Sequence, residues 1–90
     1  MSDYMEKSEI LKALGHPVRL KIVDSLLSKN ECNCNVKKMV LTLGLPQSTV
    51  SQHLGVLKSR GIVSIRKEGV RTCYRVLDKR VKGIISALQK

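Results

Sequence analysis

Two short amphipathic stretches separated by three residues constrain this chain more than any other feature. Val36, Met39, Val40 and Leu43 recur at i, i+3, i+4 and i+7, the repeat of a helix with one buried side. Gly44 follows, where a left-handed residue ends a helix. Leu45 comes next. A second helix starts near Pro46, with Val50, Leu54 and Leu57 along its buried side, and ends at Gly61. The join leaves room for a tight turn and nothing else.

The rest of the chain fits around this pair. Tyr4 to Leu14 reads as a helix with Ile10, Leu11 and Leu14 on one side. "GHP" breaks it, and Pro17 suits the first position of the next helix, where its missing N–H costs nothing. That helix, Pro17 to Ser28, carries Val18, Ile22 and Leu26 on one face, with Val23 and Leu27 beside them. After Gly61 the period changes to two. "IVSIRKEGVRTCYRV" alternates Val63 and Ile65 with Ser64 and Arg66, turns at Glu68-Gly69, and returns with Tyr74 and Val76 toward the core. Asp78 can cap a last helix whose Val81, Ile84, Ile85 and Leu88 again fall at i, i+3, i+4 and i+7. The order is helix, helix, helix, helix, hairpin, helix. The expected class is mainly α with a small β-hairpin, a helix-turn-helix with an attached wing, in one domain spanning residues 1–90.

Ninety residues bury only about 60% of the surface the unfolded chain exposes, so a second subunit is expected to complete the fold. No apolar run nears the roughly 18 residues of a membrane span, and "MSDYMEKSEILK" lacks a signal-peptide layout. The expected location is the cytoplasm. Three cysteines suit reduced thiols better than a disulfide framework. Charge is lopsided. Residues 1–44 hold seven Lys/Arg against five Asp/Glu, whereas residues 45–90 hold ten against two. An excess of this kind marks a polyanion-binding face.

The start of the fourth helix is unusual for so basic a protein. Gln47, Ser48, Thr49, Ser51, Gln52 and His53 are small polar residues, and Ser and Thr are mediocre helix formers. In a helix-turn-helix the second helix enters the major groove, N-terminal residues first. Base edges are read there by hydrogen bonds and methyl contacts. Lysines alone would give affinity without discrimination, because phosphates carry no sequence information. Neutral residues flanked by cations therefore fit a reading helix. Lys58 and the wing residues Arg66, Lys67 and Arg71 would take phosphates or an adjacent minor groove. His53, facing partly inward, fits packing or a phosphate contact better than a metal.

"ALGHPVRLKIVDSLL" and "LGLPQSTVSQHLGVLKSRGIVSIRKEGVRTCYRVLD" resemble the ArsR/SmtB family of small winged-helix repressors, over about residues 10 to 88. The resemblance implies a cytoplasmic homodimer on double-stranded operator DNA with an inverted repeat. It implies a dimer interface from the terminal helices: Val81, Ile84, Ile85 and Leu88, with Ile10 and Leu14. It also implies an inducer that lowers operator affinity.

Relatives that bind arsenite, cadmium or lead often carry Cys-x-Cys at the start of the third helix, and "ECNCNV" resembles that motif. In the family pattern an apolar residue 15 positions before the Ser of "SxHL" lies between the two thiols. Here that residue is Val36, flanked by Asn35 and Lys37, with Cys32 and Cys34 upstream. The zinc pattern of the last helix is absent, since only Asp78 is present there. The paired cysteines of persulfide-sensing relatives, on the second and last helices, are absent too. Soft ions suit thiolates, and Cys32, Cys34 and Cys73 could supply three. Strand parity opposes all three meeting, because Cys73 alternates with core-facing Tyr74. No cofactor is required for the fold. The thiols are left with three readings: no role, a site for As(III), Cd(II) or Zn(II) as inducer, or a redox switch. A nonspecific architectural DNA-binding protein would share the charge but not need the neutral reading face. No carboxylate pair, His/Cys dyad or phosphate loop points to an enzyme.

Overall fold

The computed structural model describes residues 2–28, 35–69 and 71–89, with backbone alone at Ser2, Glu68 and Arg71. The elements are α1 (Ser2–Leu14), α2 (Pro17–Leu27), α3 (Val36–Leu43), α4 (Gln47–Ser59), β1 (Val63–Glu68), β2 (Arg71–Val76) and α5 (Lys79–Leu88). The order is the one the periodicity predicts. The largest boundary difference is α1, which starts at Ser2 rather than Tyr4. Its first turn has no apolar repeat to mark it.

Each helix end has a local cause. His16 is extended and caps α2, its Nδ1 accepting the Val18 N–H at 3.1 Å, and Pro17 follows at the first helical position. Asn35 caps α3 by accepting the Lys38 N–H at 2.8 Å. Gly44, at φ 68°, ends α3 in the left-handed region, where a Cβ would be strained. Asp78 caps α5 by accepting the Arg80 N–H at 2.9 Å.

The two strands pair antiparallel, from Val63 opposite Val76 to Glu68 opposite Arg71. The link is two residues long. Gly69 holds φ 62° there, which suits the twist of a tight hairpin.

Among the described residues the buried apolar side chains form one cluster. Ile22 and Val23 of α2, Met39 of α3, and Val50 and Leu57 of α4 are fully buried. Ile62, just before β1, is equally buried and closes the floor. The core is aliphatic, as a chain without Phe or Trp must make it. Both helices of the turn rest on it, and α3 and β1 flank α4. This places α4 with one side fixed and the other free. No helix among the described residues is long and apolar enough to cross a membrane.

Candidate nucleic-acid interface

The two sides of α4 differ in kind. Val50 and Leu57 are completely buried and Leu54 is 1% exposed. Gln47, Ser48, Ser51 and Gln52 are exposed, and Gly55, Lys58 and Ser59 continue that side. At 100° per residue, positions 47, 48, 51, 52 and 55 fall together. Thr49 is half-buried at the border, so Ser48 is more exposed than Thr49. α4 itself contains no carboxylate. Its exposed side is a row of neutral donors and acceptors with a lysine beyond, able to hydrogen-bond base edges without repelling phosphate.

His53 lies elsewhere. With Val50, Leu54 and Leu57 it completes the i, i+3, i+4, i+7 set that faces inward. Its ring centroid is 4.5 Å from that of His16, tilted by 36°. Burial is the main cause lowering its pKa below 6.5, followed by the nearby charges of His16 and Arg19. At the far end of α4, Arg60 pairs with Glu9 of α1 at 2.9 Å, which fixes that end to the body.

The wing brings Arg66 and Lys67 of β1 out as exposed side chains. Arg71 opens β2 opposite Glu68, and its side chain is outside the described residues. Sequence reasoning missed Lys37 and Lys38. Both are exposed at the start of α3, the helix that crosses the backbone in a helix-turn-helix. The adjacent lysines were the available signal, hidden because residues 1–44 are nearly charge-balanced.

Residues 16–64 match the model of the bacterial regulatory proteins of the arsR family. The chain belongs to the ArsR family. An HTH-type transcriptional regulator of Methanocaldococcus jannaschii is 44% identical over 90 residues, covering 100% of this chain and 99% of that one. The transcriptional repressor PagR of Bacillus anthracis is 43% identical over 84 residues, 92% of this chain and 81% of PagR. The PagR crystal structure superposes with a TM-score of 0.87 at 37% identity, covering 97% of each chain. A homodimeric winged helix-turn-helix DNA-binding domain from Mycobacterium bovis gives a TM-score of 0.81 at 32% identity, covering 98% of this chain and 79% of that one. This ArsR-family chain is a DNA-binding transcriptional regulator, not an enzyme.

Within one protomer the residues expected at the dimer interface fall into two groups. Ile10, Leu14, Val81 and Ile85 are only 0–6% exposed within a single protomer. They belong to its own core. Periodicity finds an apolar stripe but not which surface it meets. Ile84 is half-buried, and Leu88 is 65% exposed. The apolar surface left over on the terminal helices is Leu88 of α5 with Tyr4, Met5 and Leu11 of α1, exposed by 69%, 64% and 58%. Arg80 ties the two helices together, bonding Asp78 at 2.8 Å and Glu6 of α1 at 3.2 Å.

The thiols also depart from expectation. Cys73 is half-buried on β2 opposite Arg66, and its sulfur is in a disulfide. Cys32 and Cys34 lie outside the described residues. A disulfide sulfur is no thiolate, so Cys73 in this state does not fit a three-thiolate metal set. Among the described residues no group of three His, Cys, Asp or Glu is arranged to hold a metal ion.

Proposed function

We propose that the chain acts in the cytoplasm as a homodimeric repressor that occupies an inverted-repeat operator. The free side of α4 in each protomer reads one half-site, and Lys37, Lys38, Lys58 and the wing cations hold flanking phosphates. The observation carrying this reading is the neutral polar side of α4, exposed at Gln47, Ser48, Ser51 and Gln52 over a fully buried stripe. The repressor PagR and the homodimeric mycobacterial domain support it as relatives. A two-fold dimer requires a two-fold site.

Selection of bound duplexes from a randomised pool tests the proposal. A palindromic site should emerge and beat unrelated duplex by about 10³-fold or more at physiological salt. Ser51→Ala and Gln52→Ala should each lose about 1–3 kcal/mol on the selected duplex and relax its sequence preference. Lys67→Ala should weaken selected and unrelated duplexes alike and lower the salt slope by about one. Uniform losses on both duplexes for all three variants would leave only a nonspecific architectural binder.

For release from the operator, the disulfide on Cys73 supports thiol redox state over a metal inducer. Reduction by a dithiol delivers two electrons and two protons and leaves two thiols, while the reductant becomes a disulfide. The freed wing strand would then hold the duplex with a different affinity, by about 5–150-fold if the coupling is of ordinary size. Dithiothreitol should shift operator affinity of the wild type and leave Cys73→Ser unchanged. A reduced protein that instead responds to As(III), Cd(II) or Zn(II) through Cys32 and Cys34 would move the assignment to a metal site.

A further inference from the structure

We infer that His16 and His53 form a positioning joint under the reading helix, one that holds α4 at its DNA-competent angle only while both imidazoles are neutral. The inference rests on the reading of α4 as the duplex-facing helix and adds a control to it.

Three observations meet at this pair. The rings are 4.5 Å apart and belong to different elements, His16 to the turn before α2 and His53 to the middle of α4. They are thus a direct contact between the body and the reading helix. Second, His16 is committed at one nitrogen. Its Nδ1 accepts the Val18 N–H at 3.1 Å and thereby caps α2. An imidazolium has donors at both nitrogens and no lone pair to accept that bond. Third, the Nδ1 of His53 is buried with no hydrogen-bond partner among the described residues, and so is the Nε of Arg19. A proton placed on that nitrogen would add a buried donor with nothing to receive it.

The charged groups on the elements packed against α4 do not compensate. α2 brings Arg19, and α1 brings Glu9, whose carboxylate is engaged by Arg60 and Lys12. α3 brings Lys37 and Lys38, and β1 brings Arg66 and Lys67. Of all these, His16 and Arg19 bear on His53, both against its cationic form, and burial acts in the same direction. Two imidazolium rings at this separation repel. The relief open to them is a shift of α4 away from the α2 turn, which would tilt the reading side.

The sign of the pH response makes the idea testable. A histidine that merely touches phosphate binds DNA better as it becomes cationic, so affinity would rise in acid. The joint gives the reverse. Affinity of the wild-type dimer for its selected duplex should fall as pH drops from about 7.5 to about 5.5. Tenfold per protomer is expected for each unit by which DNA binding lowers the midpoint. His53→Phe keeps a ring against His16 but cannot take a charge, and His16→Asn keeps a capping oxygen without a titrating ring. Either variant should flatten the profile while binding at about pH 7.5 stays within a few-fold of wild type. Having both guards against one that does not fold.

A second readout is independent of DNA. In an NMR titration of the free protein, the Val18 amide and the α4 amides should move with the midpoint of the His53 imidazole. Coincident movement supports the joint even if α4 proves not to select sequence. Stationary α4 amides, or an affinity that rises or stays level in acid, would overturn it.

Discussion

α4 and α5 begin from similar patterns and end in different roles. Both carry an apolar stripe at helical spacing, and both bury its centre, at Val50, Leu54 and Leu57 in one and Val81 and Ile85 in the other. Their free sides differ. That of α4 has no large apolar side chain and no carboxylate. That of α5, together with α1, leaves Leu88, Leu11, Met5 and Tyr4 in solvent. Their starts differ too. Asp78 caps α5 with a carboxylate, while α4 starts after Pro46 with no side-chain cap at all. An exposed apolar patch calls for another protein surface. An exposed neutral polar row calls for a partner with hydrogen-bonding edges, such as a duplex. On the proposed function, the difference separates a face suited to a second protomer from a face suited to a duplex.

The sharpest way to break this comparison is to charge the apolar side. Leu11→Glu with Leu88→Glu should give monomers by sedimentation with an unchanged fold. Operator affinity should then fall by about 10²-fold or more, since two half-sites no longer act as one ligand. A double mutant that stays dimeric would place the interface elsewhere. Ile85→Glu does not test this point, because Ile85 is 5% exposed inside its own protomer and the change would damage the core.

Leu54→Ala addresses the opposite side of the comparison. Leu54 is 1% exposed under the reading row. Truncating a buried leucine costs about 2–5 kcal/mol, readable by urea denaturation. Sequence preference should survive in the folded fraction, since no reading residue has changed. If preference collapsed while stability held, the two sides of α4 would not be separable as described.

Much of this was legible from the residues. The 3.6 and 2 periods gave every element, and Gly44, Pro17 and Asp78 marked ends because their backbone chemistry is local. The neutral run Gln47 to Gln52 marked the helix proposed to read a duplex, and Gln47, Ser48, Ser51 and Gln52 are exposed on it. What escaped was nonlocal. No pattern in the sequence tells whether Val81 meets its own core or a second chain. The contact between His16 and His53 joins residues far apart in sequence, and each alone looks like an ordinary turn or helix histidine. The disulfide at Cys73 likewise does not follow from the cysteine count.

The smallest effect concerns the start of α5, where α4 has no counterpart. Asp78→Ala removes the acceptor for the Arg80 N–H and should cost about 1 kcal/mol. Asp78→Asn keeps a capping oxygen but loses the two-pronged ion pair with Arg80. The hydrogen bond from the Arg80 side chain is the main cause holding the Asp78 carboxyl below 3.8. A carboxyl whose pKa is depressed by folding contributes stability that is present above the unfolded value and is lost as pH falls through the folded one. The difference between wild type and Asp78→Asn should therefore be level near neutral pH and close in acid, below 3.8. A difference that persisted there would mean the side chain acts by shape rather than charge. Neither variant should alter which duplex is preferred. Asp78 and Arg80 lock α5 to α1 through Glu6, and the residues proposed to face the duplex lie on α4.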